Sequence, residues 1–411
     1  MKVGIANDHG TRLKVLRLCT SFMPPAKTLE EGNGRCDPIG GMQNHTFELT
    51  KALDRLRVEQ TVVTTRLPYT AARQKIGSRS EIIRLGIPIN RLRQLYSVPA
   101  AGVLTTIGPV SLVHAHLGED LALLPLAVLA ARVHRTPLVI TIHVSLRHTL
   151  ESRDLRTGLL TSLGGRLERW ACEEADGIIV LTERLAELKR RDGLASDAIH
   201  VVPPGVDVEL FQGMHRDPFP DLGGPLIVFA GRLVPEKGVD TLVRAAALLK
   251  TAGASLLLVG DGPERRQLEG TAAGLGVGNR VQFTGFVPHD AIPSILRQAD
   301  VFVLPSLSEE LGSVLLEAMH SGAAIVASRT GGIPALIHHG RNGLLVTPGD
   351  ASELAAAIDR LLGDPVYANR MRRMALSDAG DRDWTTVAQR VRAIYVSVLQ
   401  QAPIKEVALS A

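Results

Sequence analysis

The sequence predicts an α/β protein made of two Rossmann-like domains whose parallel sheets face each other across a cleft. Apolar runs of strand length alternate with amphipathic helical patterns along the whole chain, which is typical of parallel sheets with crossover helices. The length of 411 residues suits two domains, and a stretch rich in Gly, Pro and Asp separates the two alternating halves. The expected division is a first domain at 1–204 with 1–12 as an extension, a linker at 205–224, a second domain at 225–380, a C-terminal helix at 381–400 and a tail at 401–411.

The expected strands are short apolar runs, and most of them end at a polar or glycine-containing loop. Open α/β sheets bind ligands at the carboxyl ends of their strands, so these loops are where site residues are expected. In the first half the strands are predicted near 15–18, 61–65, 82–85, 112–115, 138–142 and 178–181, and in the second half near 227–230, 255–259, 281–283, 301–304, 324–327 and 344–346.

The composition indicates a well-packed protein without a membrane span. Apolar residues make up 45% of the chain, and the mean hydropathy of +0.12 argues against disorder. The longest apolar stretch, residues 121–133, is too short to cross a bilayer and contains Pro125. The cysteines Cys19, Cys36 and Cys172 are odd in number and widely spaced, and the N-terminus lacks a secretory pattern. We therefore expect a reducing, cytoplasmic location.

Positive charge is concentrated in one stretch of the first half. The net charge of the chain is +4, but residues 66–93 carry seven Arg or Lys residues against the single acidic residue Glu81. A solvated face, an acidic acceptor, an anionic membrane surface and a subunit contact are all consistent with this stretch. Aromatic residues make up only 3% of the chain, so no nucleic-acid partner is expected. The cations are Arg66, Arg73, Lys75, Arg79, Arg84, Arg91 and Arg93.

The most informative feature is a pair of glutamates, Glu309 and Glu317, on either side of Gly312 and Ser313. The apolar run 301–305 comes just before, so we expect a strand, an acidic loop and a helix that begins near Ser313. A helix N-terminus presents free N–H groups and a partial positive charge, which suit a phosphate. Carboxylates on both sides would accept hydrogen bonds from hydroxyls, which together describes a nucleotide sugar. Taken alone, the same pattern also fits a helix cap on the surface.

A second loop, from Gly231 to Gly238, carries the cations Arg232 and Lys237. It follows the apolar run 226–230 and precedes a helical pattern, so it is expected at the carboxyl end of a strand. Two cations held there would neutralise a diphosphate and stabilise it as a leaving group. An Arg/Lys pair by itself is equally consistent with a solvated loop.

Together with further motifs in a constant order, these two loops resemble the retaining glycosyltransferases of family 4, which have the GT-B fold and use nucleotide-sugar donors. The resemblance covers nearly the whole chain from about Leu13, and it implies that a helix over 384–399 returns to the first domain. Residues 35–43 and 283–294 resemble, more specifically, actinobacterial glycosyltransferases of aminoglycoside assembly. The further motifs are Gly40-Gly41, Val113-His114-Ala115-His116, residues 173–180, 202–207, 260–264 and 283–286, and Gly331-Gly332-Ile333-Pro334.

The resemblance implies roles for the residues of the second domain. Arg232 and Lys237 would hold the diphosphate, in the loop that begins at Gly231. Glu309 would bond the hydroxyls of the donor sugar, and Glu317 would bond those of the ribose. Leu311 stands where the family often has Phe, which we expect to alter packing rather than chemistry. The backbone of three consecutive residues would help to hold the sugar and the phosphate: Leu311, Gly312 and Ser313.

The resemblance also implies roles for loops that face the donor from other parts of the chain. Gly40 and Gly41 would form a loop of the first domain that approaches the donor diphosphate or the acceptor. His116 would lie beside the transferred sugar. The loop around Phe286 and Val287 would lie near the nucleotide base.

No metal site is expected. His114 and His116 alternate along a predicted strand, and we expect them to point to opposite faces, so that His116 alone reaches the cleft. His143, at another strand end, is a weaker candidate for the cleft. The only Asp-x-Asp pair, Asp381 and Asp383, lies far along the chain from the sugar-binding motifs. We therefore predict no essential metal and no cofactor, with the nucleotide sugar as a substrate.

The activity implied by the resemblance is transfer of a hexose or N-acetylhexosamine, with retention, from a nucleoside diphosphate, expected to be UDP. The acceptor would be a small hydroxyl compound such as an aminocyclitol or a pseudodisaccharide. A lipid or polysaccharide precursor as acceptor, a nucleotide-sugar epimerase and a non-catalytic nucleotide-sugar-binding protein are the alternatives. The glycine-rich run 274–278 lacks the spacing of a dinucleotide loop, which disfavours a nicotinamide enzyme. Membrane association is not indicated, and the oligomeric state is left open.

Overall fold

The computed structural model describes residues 13–23, 41–87, 96–118, 120–148, 155–212, 224–380 and 382–401. Over these residues the chain folds into two α/β units, each built on its own sheet of mostly or wholly parallel strands, as the sequence predicts. None of the described helices is both long and apolar enough to cross a bilayer. Several predictions fall outside the described residues: the extension at 1–12, Gly40, Arg91, Arg93, Asp381 and the tail from 402.

The first sheet has eight described strands: β1 Lys14–Cys19, β2 Glu59–Thr65, β3 Arg73–Ile76, β4 Ser80–Leu85, β5 Leu112–Leu117, β6 Leu138–Ile142, β7 Gly177–Val180 and β8 Ile199–Val201. Their order across the sheet is β3-β4-β2-β1-β5-β6-β7-β8, and all neighbours are parallel except β3 and β4. The chain leaves β1 toward β2 and later returns to β5 on the other side. The strand order therefore reverses between β1 and β5, which is where such sheets bind ligands.

The second sheet has six described strands: β9 Leu226–Ala230, β10 Ser255–Val259, β11 Val281–Gly285, β12 Val301–Leu304, β13 Ala324–Ser328 and β14 Leu344–Val346. They are all parallel, in the order β11-β10-β9-β12-β13-β14, so the reversal lies between β9 and β12. Every one of these strands begins within one residue of its predicted start, because fully buried parallel strands read as uninterrupted apolar runs.

The helices connect the strands and cover both faces of each sheet. In the first unit they are α1 Gly41–Arg55, α2 Ser97–Leu104, α3 Leu123–His134, α4 Leu155–Glu173 and α5 Glu183–Arg191, followed by α6 Val208–Gln212 between the sheets. In the second unit they are α7 Val239–Leu248, α8 Arg265–Gly274, α9 Ile292–Gln298, α10 Ser313–Ser321, α11 Ile333–Leu336, α12 Ala351–Gly363 and α13 Pro365–Ala379, and the last described helix is α14 Trp384–Gln401.

Helix α14 returns to the first sheet, as the resemblance implies. Its apolar face joins Leu49 and Leu53 of α1 and Val15 of β1 in one buried cluster. The hydroxyl of Tyr395 lies 2.6 Å from Nδ1 of His114 on β5. The C-terminal helix is therefore part of the core beneath the first sheet.

Two short strands of the first sheet are missed by the sequence analysis. β3 is an edge strand with the sequence RQKI, which is charged and therefore does not appear as an apolar run. β8 has only three residues. The middle of the basic stretch forms the antiparallel hairpin of β3 and β4 at the sheet edge, with Arg73 paired to Glu81 at 3.0 Å. Arg84 is buried and donates to Gln74 at 2.8 Å, so this cation is not part of a solvated face.

Candidate active site

The reversal point of the second sheet brings together the loops that follow β9 and β12. The backbone N–H of Leu307 donates to the carbonyl of Glu236 at 2.8 Å, and that of Ser308 donates to the same oxygen at 3.2 Å. Gly238 has φ +60, and a Cβ atom there would collide with the carbonyl of Pro305. The cationic loop and the acidic loop are thereby held as one surface at the carboxyl edge of the sheet.

Lys237 and Glu309 form an ion pair across this junction. Their side chains are 24% and 13% exposed, so the pair lies at the bottom of the surface and still meets solvent. The Ser306 hydroxyl lies 3.4 Å from the same carboxylate oxygen. Arg232, on the same loop as Lys237, is exposed. One carboxylate suited to hydroxyls thus lies beside two cations suited to phosphate.

Helix α10 begins at this surface. Gly312 precedes it with φ +70 and accepts a hydrogen bond from the N–H of Leu315 at 2.8 Å. Leu311 is 6% exposed and packs within the core of the second unit. A Cβ atom at Gly41 would lie 3.0 Å from the hydroxyl oxygen of Ser313. The N-termini of α1 and α10 therefore face each other across the cleft between the two units.

Glu317 contacts a histidine that the sequence analysis did not select. Nε2 of His289 lies 3.0 Å from the Glu317 carboxylate and 3.2 Å from the side-chain amide of Asn44 on α1. Burial acts to lower the pKa of His289, but the hydrogen bond and charge of Glu317, with Glu48 and Asp207, raise it above its ordinary value. His289 thus connects the expected ribose carboxylate to the first unit.

The predicted base-binding loop follows β11 at the neighbouring strand end. Phe286 and Val287 are half-buried there. The N–H of Gly260 donates to the carbonyl of Gly285 at 3.0 Å, and that of Gly231 donates to Val259 at 2.9 Å. A Cβ atom at Gly260 would collide with the carbonyl of Gly231. These close backbone contacts hold three strand-end loops against one another.

Glu310, which follows Glu309 in sequence, connects the two units. Its buried carboxylate accepts from the Thr182 hydroxyl at 2.7 Å and from Arg184 at 2.9 Å, both in the first unit. Thr182 also caps α5 by accepting from the N–H of Leu185 at 3.1 Å. This contact was not predicted, because a glutamate within an acidic loop gives no sign of its partner in a distant segment.

The prediction that His114 and His116 point to opposite faces is wrong. Their ring centroids lie 4.2 Å apart on the same face of the first sheet. Side chains alternate along a strand with a period of two, so residues two positions apart share a face. His114 is buried between Tyr395 and the hydroxyl of Thr141, which lies 2.7 Å from its Nε2 atom.

His116 is fully buried, and both of its ring nitrogens have partners. Nη2 of Arg17 lies 2.7 Å from Nε2 of His116, and Nε2 of His143 lies 3.1 Å from Nδ1 of His116. A direct contact between His116 and a bound sugar would require one of these hydrogen bonds to break. His143, one strand over and at the carboxyl end of β6, is 6% exposed and lies nearer to the cleft.

Three buried imidazoles of the first unit are close enough together to suggest a metal site. Ligand atoms of His45, His116 and His143 all lie within 4.8 Å of one another, and Nδ1 of His45 is buried without a described partner. However, Nε2 of His116 accepts from Arg17, since a guanidinium can only donate. A neutral imidazole then carries its proton on Nδ1, which removes that atom as a ligand. This donor set beside a buried cation does not suit a metal ion.

Comparison with known proteins agrees with this architecture. The sequence profile described as "Glycosyl transferases group 1" matches residues 213–378, and that described as "Glycosyltransferase Family 4" matches residues 39–210. A 2-deoxystreptamine glucosyltransferase from Streptomyces kanamyceticus is 34% identical over 349 residues, covering 79% of this chain and 90% of the relative. A 2-deoxystreptamine N-acetyl-D-glucosaminyltransferase from Streptomyces fradiae is 31% identical over 394 residues, covering 89% and 91%.

Solved structures share the fold over nearly the whole chain. A sucrose-phosphate synthase from Thermosynechococcus elongatus matches with a TM-score of 0.78 and 24% identity, covering 95% of this chain and 100% of the other. HepE from Anabaena, solved with UDP and glucose, matches with a TM-score of 0.73 and 24% identity, covering 94% and 100%.

Proposed function

Because the chain belongs to the group 1 glycosyltransferases of family 4, a GT-B family, we propose that it transfers a hexose or N-acetylhexosamine from a nucleoside diphosphate to a small hydroxyl acceptor, with retention of the anomeric configuration. We take UDP as the donor nucleotide and an aminocyclitol or pseudodisaccharide as the acceptor. The names of the relatives from Streptomyces support an acceptor of this class.

The observation that carries the donor assignment is the Lys237–Glu309 pair at the reversal point of the second sheet. It gives one surface a carboxylate for sugar hydroxyls and a cation for phosphate, and Arg232 adds a second cation. The N-terminus of α10 supplies backbone N–H groups to the same surface. To Glu317, one turn into α10, we assign the ribose hydroxyls.

The reaction step proposed here is the one that membership of a retaining family implies. The bond between the anomeric carbon and the diphosphate breaks, and a bond from the acceptor oxygen to the same face of that carbon forms. The acceptor proton passes to the leaving phosphate oxygen, so no protein base is needed. Lys237, Arg232 and the α10 backbone stabilise the negative charge that develops on the phosphate.

Closure of the two units would exclude water from this reaction, and the contact of Glu310 with Arg184 and Thr182 favours the closed arrangement. We expect Arg184→Met to lower the rate of transfer about fivefold, because losing a partly exposed ion pair costs about 1 kcal/mol. The fraction of donor that is hydrolysed should rise, and nucleotide affinity should not change. Rates of transfer and of hydrolysis, measured in the same reaction, check this.

Arg190→Met is the matched control for Arg184→Met. Arg190 lies on the same helix and pairs with Glu183 at 3.1 Å, within the first unit alone. We expect wild-type transfer and hydrolysis from this variant. Equal behaviour of the two variants would show that the Glu310 contact does not contribute to closure.

The location of the basic hairpin is compatible with a cationic acceptor. The hairpin of β3 and β4 lies at the edge of the first sheet, beyond β2, whereas the reversal point lies between β1 and β5. The exposed cations Arg73, Lys75 and Arg79 therefore belong to the sheet edge, whereas the exposed Arg66 directly follows β2, the strand next to β1. An amine-bearing acceptor at the reversal point would not meet the cations of the hairpin directly.

The proposed function is tested first through the donor and then through the acceptor. In a thermal-shift panel of UDP, GDP, ADP and TDP without metal, we expect selective stabilisation by UDP. At 100 times the dissociation constant this amounts to about 2.7 kcal/mol, or a shift of several degrees. The shift should be lost in Glu317→Ala and kept in Glu173→Ala, an exposed glutamate of the first unit.

The UDP-sugars that stabilise the protein are then offered with 2-deoxystreptamine, D-inositol 3-phosphate or a lipid acceptor. Transfer to 2-deoxystreptamine with an unchanged anomeric configuration supports the proposal. Transfer only to the phosphorylated or lipid acceptor would replace the acceptor class, and donor turnover without any acceptor would point to an epimerase. Nucleotide binding without any turnover would indicate a binding protein, and no binding would refute the donor site.

A further inference from the structure

Arg17 is a fully buried cation whose described hydrogen-bond partners are all uncharged. It lies in β1, is 1% exposed, and donates to the Thr50 hydroxyl at 2.5 Å and to the side-chain oxygen of Gln60 at 3.1 Å. Its Nη2 and Nε atoms both point at Nε2 of His116, at 2.7 and 3.3 Å. Arg17 is not among the residues proposed to bind the donor or the acceptor, yet it lies on β1, beside the reversal point of the first sheet.

The direction of each hydrogen bond in this group follows from the chemistry of the donors. A guanidinium has no acceptor, so Nε2 of His116 must accept from Arg17. A neutral imidazole with an accepting Nε2 atom carries its proton on Nδ1. Nδ1 of His116 therefore donates to Nε2 of His143, 3.1 Å away. His143 must in turn carry its own proton on Nδ1, and no described residue is recorded as bonding that atom.

From this chain we infer that Arg17 is a positioning residue that holds His116 and His143 in their Nδ1–H tautomers, so that His143 presents a hydrogen-bond donor at the carboxyl edge of the first sheet. This inference rests on the proposed function, in which the cleft holds sugar and phosphate oxygens that accept such a bond. His143 then cannot act as a base through Nδ1, which agrees with a reaction in which the leaving phosphate takes the proton.

The surroundings keep both histidines neutral, as this arrangement requires. Burial, and then the charge of Arg17, lower the pKa of His143 to about 3. Burial lowers the pKa of His116 well below its ordinary value, with His114 and Arg17 acting in the same direction. The other titratable groups that face this cluster are His45 on α1, Tyr395 on α14 and Cys19 on β1, and no described carboxylate is recorded in contact with either ring.

The tautomers can be observed directly in the full-length protein labelled with ¹⁵N in the histidine rings. We expect the wild-type spectrum to show protonated Nδ1 and unprotonated Nε2 atoms for both histidines, assigned by the loss of signals in His116→Gln and His143→Gln. An Nε2–H tautomer at either position in the wild type would overturn the inference. This measurement needs no substrate, so it stands apart from the fate of the proposed function.

Variants at Arg17 test whether the tautomer matters for transfer. In Arg17→Met we expect His116 to be no longer confined to the Nδ1–H tautomer. We expect kcat/KM to fall about 10- to 100-fold, the range expected for one lost hydrogen bond of a charged group. The affinity for the nucleotide should stay within twofold of the wild-type value, because the proposed donor site is on the second sheet and Arg17 is on the first. Arg17→Lys retains a donor and should recover both the tautomer and part of the rate.

Thr50→Val is the matched control, since it removes another hydrogen bond of Arg17 and leaves the imidazoles untouched. We expect its histidine spectrum to be that of the wild type. Transfer at the wild-type rate by an Arg17→Met protein with altered tautomers would overturn the positioning role. If Arg17→Met does not fold, the wild-type spectrum and Arg17→Lys still decide the inference.

Discussion

Replacing Lys237 by alanine is expected to abolish transfer, with a fall in kcat/KM of about 100- to 1000-fold or more, while the fold stays intact. Loss of one preorganised group that stabilises developing charge in an active site costs this much. Lys237 contributes twice, because it pairs with Glu309 and lies where the diphosphate would bind. Its removal leaves the carboxylate without its cation and the leaving phosphate without a partner. Steady-state kinetics with the nucleotide sugar found in the binding panel provide the measurement.

The matched control is Lys250→Ala in the same unit. Lys250 is exposed at the end of α7, and the contact recorded for it is between its backbone N–H and Asp359, which the substitution leaves in place. The free energy of unfolding of both variants should lie within about 1 kcal/mol of the wild-type value, since neither side chain is fully buried. Near wild-type transfer by Lys237→Ala would show that the donor site has been assigned to the wrong loop.

The sequence was sufficient to locate all the strands except β3 and β8, because buried parallel strands are continuous apolar runs. The meeting of the two loops that carry Lys237 and Glu309 follows from the strand order of the second sheet, which the local patterns do not give. β3 escaped detection because an edge strand carries charged residues, and β8 because three residues show no periodicity. These misses lie at the sheet edges and do not alter the site.

Contacts between distant segments could not be predicted from local patterns. Arg17 appears in the sequence as one cation within an apolar strand, and the residues around it do not predict a contact with His116, 99 positions away. Glu310 and Arg184 are 126 positions apart, and each looks like an ordinary surface charge. The first pair is defined by the pairing of β1 with β5 and the second by the packing of the two units, so both become visible only in the folded chain.

The two reversal points have different electrostatic characters. Around β9 and β12 an exposed arginine and a partly buried lysine accompany carboxylates, which suits a charged and exchangeable ligand. Around β1 and β5 the charge of Arg17 is buried and reaches the edge only through two neutral imidazoles. At the same edge the Asp120 carboxylate, which follows β5, accepts from the Thr20 hydroxyl. Around β1 and β5 the first sheet therefore offers directed hydrogen bonds and a carboxylate, which suit the hydroxyls of a sugar.

Gly331→Ala is expected to reduce both stability and transfer strongly. Gly331 has φ +53, and a Cβ atom there would collide with the carbonyl of Glu309. The neighbouring N–H of Gly332 donates to that same carbonyl at 3.3 Å, so the turn after β13 supports the backbone of the sugar-binding loop. Moving that loop by about 1 Å would cost about 100-fold in kcat/KM. The strained backbone and the collision together should lower the free energy of unfolding by about 2–4 kcal/mol.

Gly253→Ala separates the collision from the strain. Gly253 has a similar positive φ of +72, but a Cβ atom there would meet nothing within 4 Å, and it lies in the turn before β10. This variant should lose about 1–2 kcal/mol of stability and keep its activity, because only the left-handed backbone is penalised. The difference between the two variants, measured by denaturant unfolding and by kcat/KM, isolates the contact with Glu309. If both variants behaved alike, the turn after β13 would have no part in placing Glu309, and the position of that carboxylate would have to depend on Lys237 and Ser306 alone.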